Sequence, residues 1–537
     1  MKHKYYKNIL VAISKKATRL VLIASIWIAS LNSLHAQELF NHSYIFENGT
    51  VIATSLKEYA NNYYLVGNIG FQPTDCELGY RIGTHVTKVN KNGIRDTSFI
   101  FYDCNKKIGS FSFDTNIFNI INDKLMILTK IHHMDKTTNL SLIEMSPDFD
   151  NISTLDIMHD TASKIGAGFI VDRNNNYIIY GCIDSSFNEE NTYAPDYLKA
   201  LMIKMRPDGT QVWAKTYSFK NEGEKCWAAF KHVIETIDGD YLVLGETSDF
   251  DPNRRVGSMA VKIDSMGNQK WVKYFGDVSP SFIDVIETQD SCYIFSGAYE
   301  YEENKLAGNL LKVNKDGVGI WDRRHRDTII HSNNGTEGTF FTVYHNMALK
   351  DNGDIILATR SKVTDDGQYM ADRLRIICVD EFGHRKWNKL IFDLDGLTGF
   401  FFPFAIILTS DGGIAVTGFA DLLWTENGQT FNEVHAFLVK TDSLGNHIYT
   451  HVQPGEKKTI SDFKLKPYPN PSQNEFYIDL PEEIDNDILE VWSINGKLIL
   501  SKTLSSGVNK IEMENLPKET YLLRLRNAKL YGKVVLQ

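Results

Sequence analysis

The residue types that would carry chemistry are thinly spread along this chain. Carboxylates able to act as acid and base, Glu189, Glu190, Asp251, Glu302 and Asp366, fall in separate polar stretches. Two of them facing each other across a cleft would suit cleavage of a polysaccharide or peptide. Tyr193, Tyr301, Tyr369 and Trp424 lie in similar stretches and would stack on sugar rings or on partner side chains. Taken singly, each is also what an ordinary solvated loop contains. Asp249-Phe250-Asp251-Pro252-Asn253 begins like a calcium loop, but Arg254 stands where the turn needs Gly and Ala260 where the last ligand would be Glu. It reads as an acidic surface loop. His132-His133 lacks a third ligand at a metal-binding spacing, and the sequence holds neither a nucleophile elbow nor a phosphate loop. No metal or cofactor is expected, and no catalytic residue is assigned.

One spacing does recur. Lys262-x-Asp264-x-x-Gly267-x-x-x-Trp271 is matched at Lys204, Gly209 and Trp213, and again at Lys312, Gly317 and Trp321. Cys378, Gly383 and Trp387 lose the Lys, and Lys440, Gly445 and Tyr449 exchange the Trp. Lys88 and Gly93 keep the front half, and Glu144 to Phe149 is a degenerate seventh copy. An apolar segment precedes every copy, most clearly Tyr241-Leu242-Val243-Leu244-Gly245. Repeats of about 60 residues in one fixed order indicate an array. Each repeat divides into four short strands, A (231–237), B (241–245), C (259–263) and D (269–275) in the clearest copy. Asp-Gly and Asn-Gly mark the A–B turns, and Asp264 with Gly267 fits a type I turn between C and D. Four antiparallel strands repeated seven times predict a seven-bladed β-propeller, its recurrent Trp packed between blades.

The recurring Lys cannot be catalytic, because seven copies around a ring do not converge on one substrate. We expect it to lay its stem along the sheet and keep its amine in water. The Asp-x-x-Gly-x-x-x-Trp portion is similar to the Asp box of sialidase-type propellers, but both spacings are longer by one and the match fails. The ring would be closed either by residues 42–46, serving as an outer strand of the last blade, or by residues 447–452. The B–C and D–A loops vary while the A–B and C–D turns are uniform, so a ligand site belongs among the former.

Six cysteines in an exported chain are free to pair. Cys76 and Cys182 fall in B–C loops, and Cys104 and Cys226 in the following D–A connections. That register predicts disulfides Cys76–Cys104 and Cys182–Cys226, with Cys292 and Cys378 as buried thiols.

Export is legible at both ends. Lys2, Lys4, Lys7, Lys15, Lys16 and Arg19 precede an apolar run ending at Leu34-His35-Ala36, which reads as a signal peptide over 1–36. Its removal takes the formal charge from −10 to −16, a poor match for nucleic acid, and leaves no stable membrane span. The propeller then covers 37–453, a polar linker 454–461, and a small antiparallel sandwich 462–537. Tyr468-Pro469-Asn470-Pro471, Val491 to Lys497 with Asn495-Gly496, Leu516-Pro517, Tyr521 to Leu525 and Lys533-Val534-Val535 resemble, in order and spacing, the type A C-terminal sorting domain of the bacterial type IX secretion system. Glu519 departs from the Gly usual in that family. The resemblance implies handling by the type IX secretion machinery, with Pro469, Asn470, Pro471, Gly496 and Tyr521 in the sorting motif, and a secreted or outer-membrane cell-surface destination. The reading is therefore an all-β exported protein, with a propeller that binds glycan or protein. The alternative is a polysaccharide- or peptide-degrading hydrolase or lyase with its site in the same variable loops.

Overall fold

The computed structural model describes residues 39–537 except 45–48, 74–75, 77–79, 110–115, 133–137, 158–162, 185–196, 221–225, 251–255, 276–279, 303–304, 326, 331–336, 341, 366–367, 392–397, 427–428, 448–464, 466, 481–483, 485, 494–496, 514–515 and 527–529. Beside several of these gaps only the backbone is described. The chain forms two compact units, Met1–Thr450 and His451–Gln537, each taken here by itself.

In the first unit the described strands form successive antiparallel groups of a β-propeller, numbered here as sheets 1 to 7 in chain order. The third and fourth are joined into one eight-stranded sheet by a short parallel pairing of Tyr197 and Leu198 with Cys226 and Trp227. Sheet 4 is typical, with A Cys226–Glu235, B Tyr241–Thr247, C Gly257–Ile263 and D Gln269–Phe275. Sheet 1 runs Gly49–Tyr59, Asn62–Phe71, Arg81–Asn90 and Arg95–Phe101. Sheet 2 has a divided inner strand, Lys107–Ile108 and Phe118–Ile121 both pairing with Lys124–His132. A two-stranded ribbon, Asp327–Ile330 with Glu337–Phe340, lies between sheets 5 and 6 in the chain. Antiparallel order puts every A–B and C–D turn at one end of the sheets and every B–C and D–A connection at the other.

Sheet 7 takes Thr398–Leu408, Ile414–Glu426 and Gln429–Thr441 from the end of the repeats and its fourth strand, Phe40–Tyr44, from the start of the chain. Of the two expected closures, the N-terminal one is therefore used, with the strand beginning two residues earlier than expected. Residues 448–452 of the other candidate lie outside the described residues. The N-terminal strand also reproduces the side chains of a D strand. In sheet 3, the Trp213 ring lies beside Gly267 in the C–D turn of sheet 4, and Tyr217 donates to the Gly267 carbonyl (2.9 Å). In sheet 7, Phe40 lies beside Gly93 of sheet 1 and Tyr44 donates to the Gly93 carbonyl (2.9 Å). Gly is needed at both turns: φ is +81° at Gly267 and +79° at Gly93, and a Cβ at Gly93 would fall 2.6 Å from the Phe40 ring. Phe40, Tyr44, Val51, Tyr63, Ala415 and Leu438 share one buried cluster spanning sheets 7 and 1.

The recurring lysine differs from expectation. Lys262 is 2 % exposed, and its amine donates to Thr236 Oγ1 (2.6 Å), Asp238 Oδ1 (3.0 Å) and Tyr293 OH (2.8 Å). Thr236 and Asp238 belong to the A–B turn of its own sheet, and Tyr293 opens the B strand of the next. Lys204 meets Asp172 (2.9 Å) and Tyr241 OH (2.9 Å), Lys312 meets Asp290 (2.8 Å), and Lys440 meets Asp411 (3.0 Å). A buried ammonium is costly unless paired, and the A–B turn supplies the partner at each of these positions. Where the turn Asp is missing, in sheet 1, Lys88 pairs instead with Asp148 (2.9 Å).

A second fastener runs the opposite way around the ring. Glu58, Glu235 and Glu287, at matching A-strand positions, accept the backbone N–H of Ser410, Arg173 and Ile237 in the preceding sheet's A–B turn, each at 2.7 Å. Adjacent blades are thus held by charge-assisted hydrogen bonds at the turn end and by apolar packing between their faces.

In the second unit the strands Glu475–Leu480, Asp487–Ser493, Leu498–Leu504, Gly507–Glu512, Thr520–Leu525 and Leu530–Val535 form two antiparallel sheets. They enclose Phe476, Ile478, Leu489, Val491, Tyr521, Leu523 and Val534. Asn470 ties the Pro-Asn-Pro segment to the last strand, accepting from Val535 N (2.9 Å) and donating to the Lys533 carbonyl (2.9 Å). Both prolines follow cis peptide bonds. Tyr521 donates to the Pro517 carbonyl (2.8 Å), and the Glu519 carbonyl accepts from Leu536 N (3.0 Å). Gly496 lies outside the described residues.

Candidate functional site

The structure places the sequence-selected ligand residues on different kinds of chain. Tyr193 and Asp251, with Glu189, Glu190 and Asp366, lie outside the described residues. Tyr301, Tyr369 and Trp424 sit on strands, not loops: the B–C segments of sheets 5, 6 and 7 are β-hairpins pairing Glu302 with Lys305, Thr364 with Tyr369, and Trp424 with Phe431. The three hairpins belong to consecutive sheets and stand at the variable end.

Cys76 and Cys104 form a disulfide with Cα atoms 5.3 Å apart. A closed loop of this length stabilises by about 3.5 kcal/mol in the chain-entropy account. Cys182 and Cys226 are not joined. Both were expected in loops, but Cys182 lies within the B strand of sheet 3, paired with Ala200, and Cys226 opens the A strand of sheet 4, paired with Tyr197. Both thiols are buried in β-structure. Asp249 also departs from its reading as a surface residue. It is buried, and its carboxylate accepts from Trp227 N (2.8 Å) and Phe219 N (3.3 Å), which turns it away from any cation outside.

Below the long hairpins of sheets 6 and 7 lies a platform that the sequence reading missed. Phe402, on the A strand of sheet 7, pairs across to Phe419 on the B strand, their rings stacked at 4.5 Å and 10°. Phe404 also stacks on Phe419, ring centres 5.8 Å apart. Arg360, on the B strand of sheet 6, crosses the seam with its guanidinium 4.7 Å from the Phe402 ring centre. Phe402, Phe419 and Arg360 are all part-exposed. Phe402 is thus sandwiched between Phe419 and the guanidinium, so the stack offers ring edges and the outer side of Arg360, whose forked N–H groups can hold a carboxylate, sulfate or carbonyl. Phe400-Phe401-Phe402-Pro403-Phe404 was visible as a run, but which ring faces outward depends on the β-bulge between Pro403 and Ala405.

An acid–base pair occurs deeper, on the inner strands. His232 Nδ1 lies 3.2 Å from Asp284 Oδ1, and Asn116 Nδ2 lies 3.4 Å from His232 Nε2. Both His232 and Asp284 follow β-bulges in their A strands. Asp284 is 4 % exposed and accepts from Val285 N (2.8 Å) and Met347 N (2.7 Å), and burial raises its carboxyl above the usual range against the pull of His232 and these donors. Its oxygens are spent on sheets 4, 5 and 6, so the pair reads as a clamp between blades. Among the described residues no group of three His, Cys, Asp or Glu is placed to hold a metal ion.

The fold and its end segment define a class: a β-propeller carrying a secretion tail. Residues 466–537 match the secretion system C-terminal sorting domain family. That domain implies handling by the type IX secretion machinery and marks the protein as secreted or held at the outer-membrane cell surface. No curated protein matches the chain. Solved structures similar to it include an ulvan lyase of a polysaccharide lyase family, PL25, bound to -[GlcA(1-4)Rha3S]- (10 % identity, 75 % of this chain and 96 % of that one, TM-score 0.44). Others are the β-propeller domain of the Trilobed protease from Pyrococcus furiosus (9 %, 73 % and 97 %, 0.37) and PorZ, a surface component of the type IX secretion system of Porphyromonas gingivalis (8 %, 91 % and 82 %, 0.25). At these identities and scores the likenesses carry no argument about activity.

Proposed function

We propose that this protein is an exported binding module: residues 1–36 are removed as a signal peptide, residues 462–537 deliver the chain, and the propeller presents a non-catalytic ligand face. The observation that carries the reading is the Arg360–Phe402–Phe419 platform beneath the hairpins bearing Tyr369 and Trp424. Its ligand is a surface glycan, which offers an oxygen-rich group to the Arg360 guanidinium held flat on Phe402 and its C–H surface to the ring edges. Rigid blades beneath the platform keep the ordering cost of binding low. The buried, saturated carboxylate of Asp284 does not favour hydrolysis over binding.

The test is a screen of the secreted protein against glycans and cell-surface proteins, with turnover assayed alongside. A glycan hit weakened at least tenfold by Phe402→Ala or Arg360→Ala, without turnover, is the expected result. Turnover abolished by changing one hairpin carboxylate would replace this reading with the hydrolase or lyase alternative, and a hit on protein alone would reassign the ligand.

A further inference from the structure

The seam between sheets 1 and 2 breaks the pattern of the ring at the end opposite the hairpins. In sheets 3 to 7 the A-strand residue facing the second B-strand residue is Ile170, Ile234, Ile286, Ala348 or Ile407. In sheets 1 and 2, whose B strands begin one residue earlier, the equivalent position faces the third B-strand residue and holds Lys57, opposite Tyr64, and Asn119, opposite Met126. An aliphatic side chain there packs the seam, whereas an amine and an amide do not.

The turns break the pattern as well. Sheets 3 to 7 join A to B through five residues, such as 236–240, and in sheets 3, 4, 5 and 7 an Asp of that turn holds the C-strand lysine. Sheets 1 and 2 use two-residue turns with positive φ, Ala60-Asn61 and Asn122-Asp123. The shortened turns leave a cavity of about 380 Å³, lined by Lys57, Glu58, Tyr59, Asn119, Asn122 and Asp123. This volume lies within the range of small-molecule sites, about 300–1,000 Å³.

The neighbours of Lys57 are already committed. Glu58 holds Lys91 and Ser410. Tyr59 donates to Asp123 Oδ1 (2.5 Å), and Asn119 donates to the Phe169 carbonyl (3.1 Å). Among the described residues no hydrogen bond or ion pair reaches the Lys57 amine. Burial holds that ammonium below the usual lysine range. Lys57 is half-buried at a position where five sheets use an aliphatic residue, and a carboxylate ligand would give its amine the partner that no described residue supplies.

We propose that this seam is a second binding site, for a small polyhydroxy carboxylate whose carboxylate pairs with Lys57 and whose hydroxyls meet Asn119, Asn122 and Asp123. The amine supplies a charge-assisted bond to the anion, the amides donate to or accept from hydroxyls, and the Asp123 carboxylate accepts from them. The site is separate from the platform on sheets 6 and 7 and does not depend on it.

The experiment titrates gluconate and glucuronate, with glucose and acetate as controls, into the secreted protein and its Lys57→Ile and Phe402→Ala variants. Thermal midpoints are recorded for each. The expected result is binding of a hydroxylated carboxylate that weakens at least tenfold in Lys57→Ile and is unchanged in Phe402→Ala, with Lys57→Ile melting at or above the parent temperature. Undiminished binding by Lys57→Ile, no binding of either acid by the parent, or a lower melting temperature for Lys57→Ile would overturn the proposal.

Discussion

Replacing Lys262 by Met tests whether the recurring lysine is a buried fastener. Its amine makes three polar contacts, and only Asp238 among the partners is half exposed. Burial works to raise the Asp238 carboxyl, but the hydrogen bonds from Thr236 and Lys262 outweigh it and hold the group at about 2. Set against an ordinary 3.8, that shift converts to roughly 2.4 kcal/mol. Because half of the Asp238 side chain is in water and Thr236 shares the effect, the Lys262 share is about 1 kcal/mol. Leaving the buried Tyr293 hydroxyl without its partner adds about 1–2 kcal/mol. The expected loss at pH 7 is therefore about 2–3 kcal/mol, read by urea denaturation of the secreted chain with fluorescence of the tryptophans, Trp271 among them. A carboxyl depressed in the folded state stabilises fully above its unfolded value and loses this as pH falls through the folded one. The gap between parent and variant should accordingly narrow between pH 4 and pH 2. A loss below about 0.5 kcal/mol at pH 7 would mean that the amine is solvated, and would refute the argument.

Three further outcomes follow from other parts of the ring. Phe40→Ala should cost about 3–5 kcal/mol, as expected for a buried aromatic, and combining it with Tyr44→Phe should let limited proteolysis remove the N-terminal strand first. Burial holds His85 at about 4 against an ordinary 6.5, despite the Ile52 carbonyl 3.3 Å away. Above pH 6.5 it costs nothing, but between 6.5 and 4 the unfolded chain binds a proton that the folded chain refuses. About 3 kcal/mol of stability should be lost across that window, and His85→Gln should flatten the loss seen in denaturation against pH. Peptide mapping of the denatured, unreduced protein should recover Cys76 linked to Cys104, with Cys182 and Cys226 alkylated separately. A Cys182–Cys226 peptide would contradict the strand placement.

The register of the repeats was legible because its turns depend on residue type. Asp264 accepts from Met266 N (2.9 Å) and Asn268 N (2.7 Å), and Gly267 takes a positive φ. Few other residues do either. The antiparallel sandwich of the C-terminal unit is legible too, since alternation and Gly or Pro punctuation are local signals. Contacts between sheets were not. The amine of Lys262 is buried because Asp238 and Tyr293 converge on it from two sheets, and nothing within its own strand says so. Cys182 and Cys226 matched loop positions by analogy with Cys76 and Cys104, but the strands of sheets 3 and 4 extend far enough to absorb them. The hairpins of sheets 5 to 7 read as loops in the sequence because their polar, aromatic composition resembles one. The Arg360–Phe402 contact depends on a bulge and a blade seam, both set by tertiary packing.

The central claim is that the variable end of the propeller binds without turnover through the Arg360–Phe402–Phe419 platform. The most direct measurement is the affinity of the secreted protein for its best glycan hit, compared with the Arg360→Ala and Phe402→Ala variants. Removing a stacking ring or a paired guanidinium should each weaken binding by about 1–3 kcal/mol, tenfold or more, with both variants folded and the glycan recovered intact. Affinity unchanged in both variants, or a shortened glycan after incubation with the parent protein, would contradict the account.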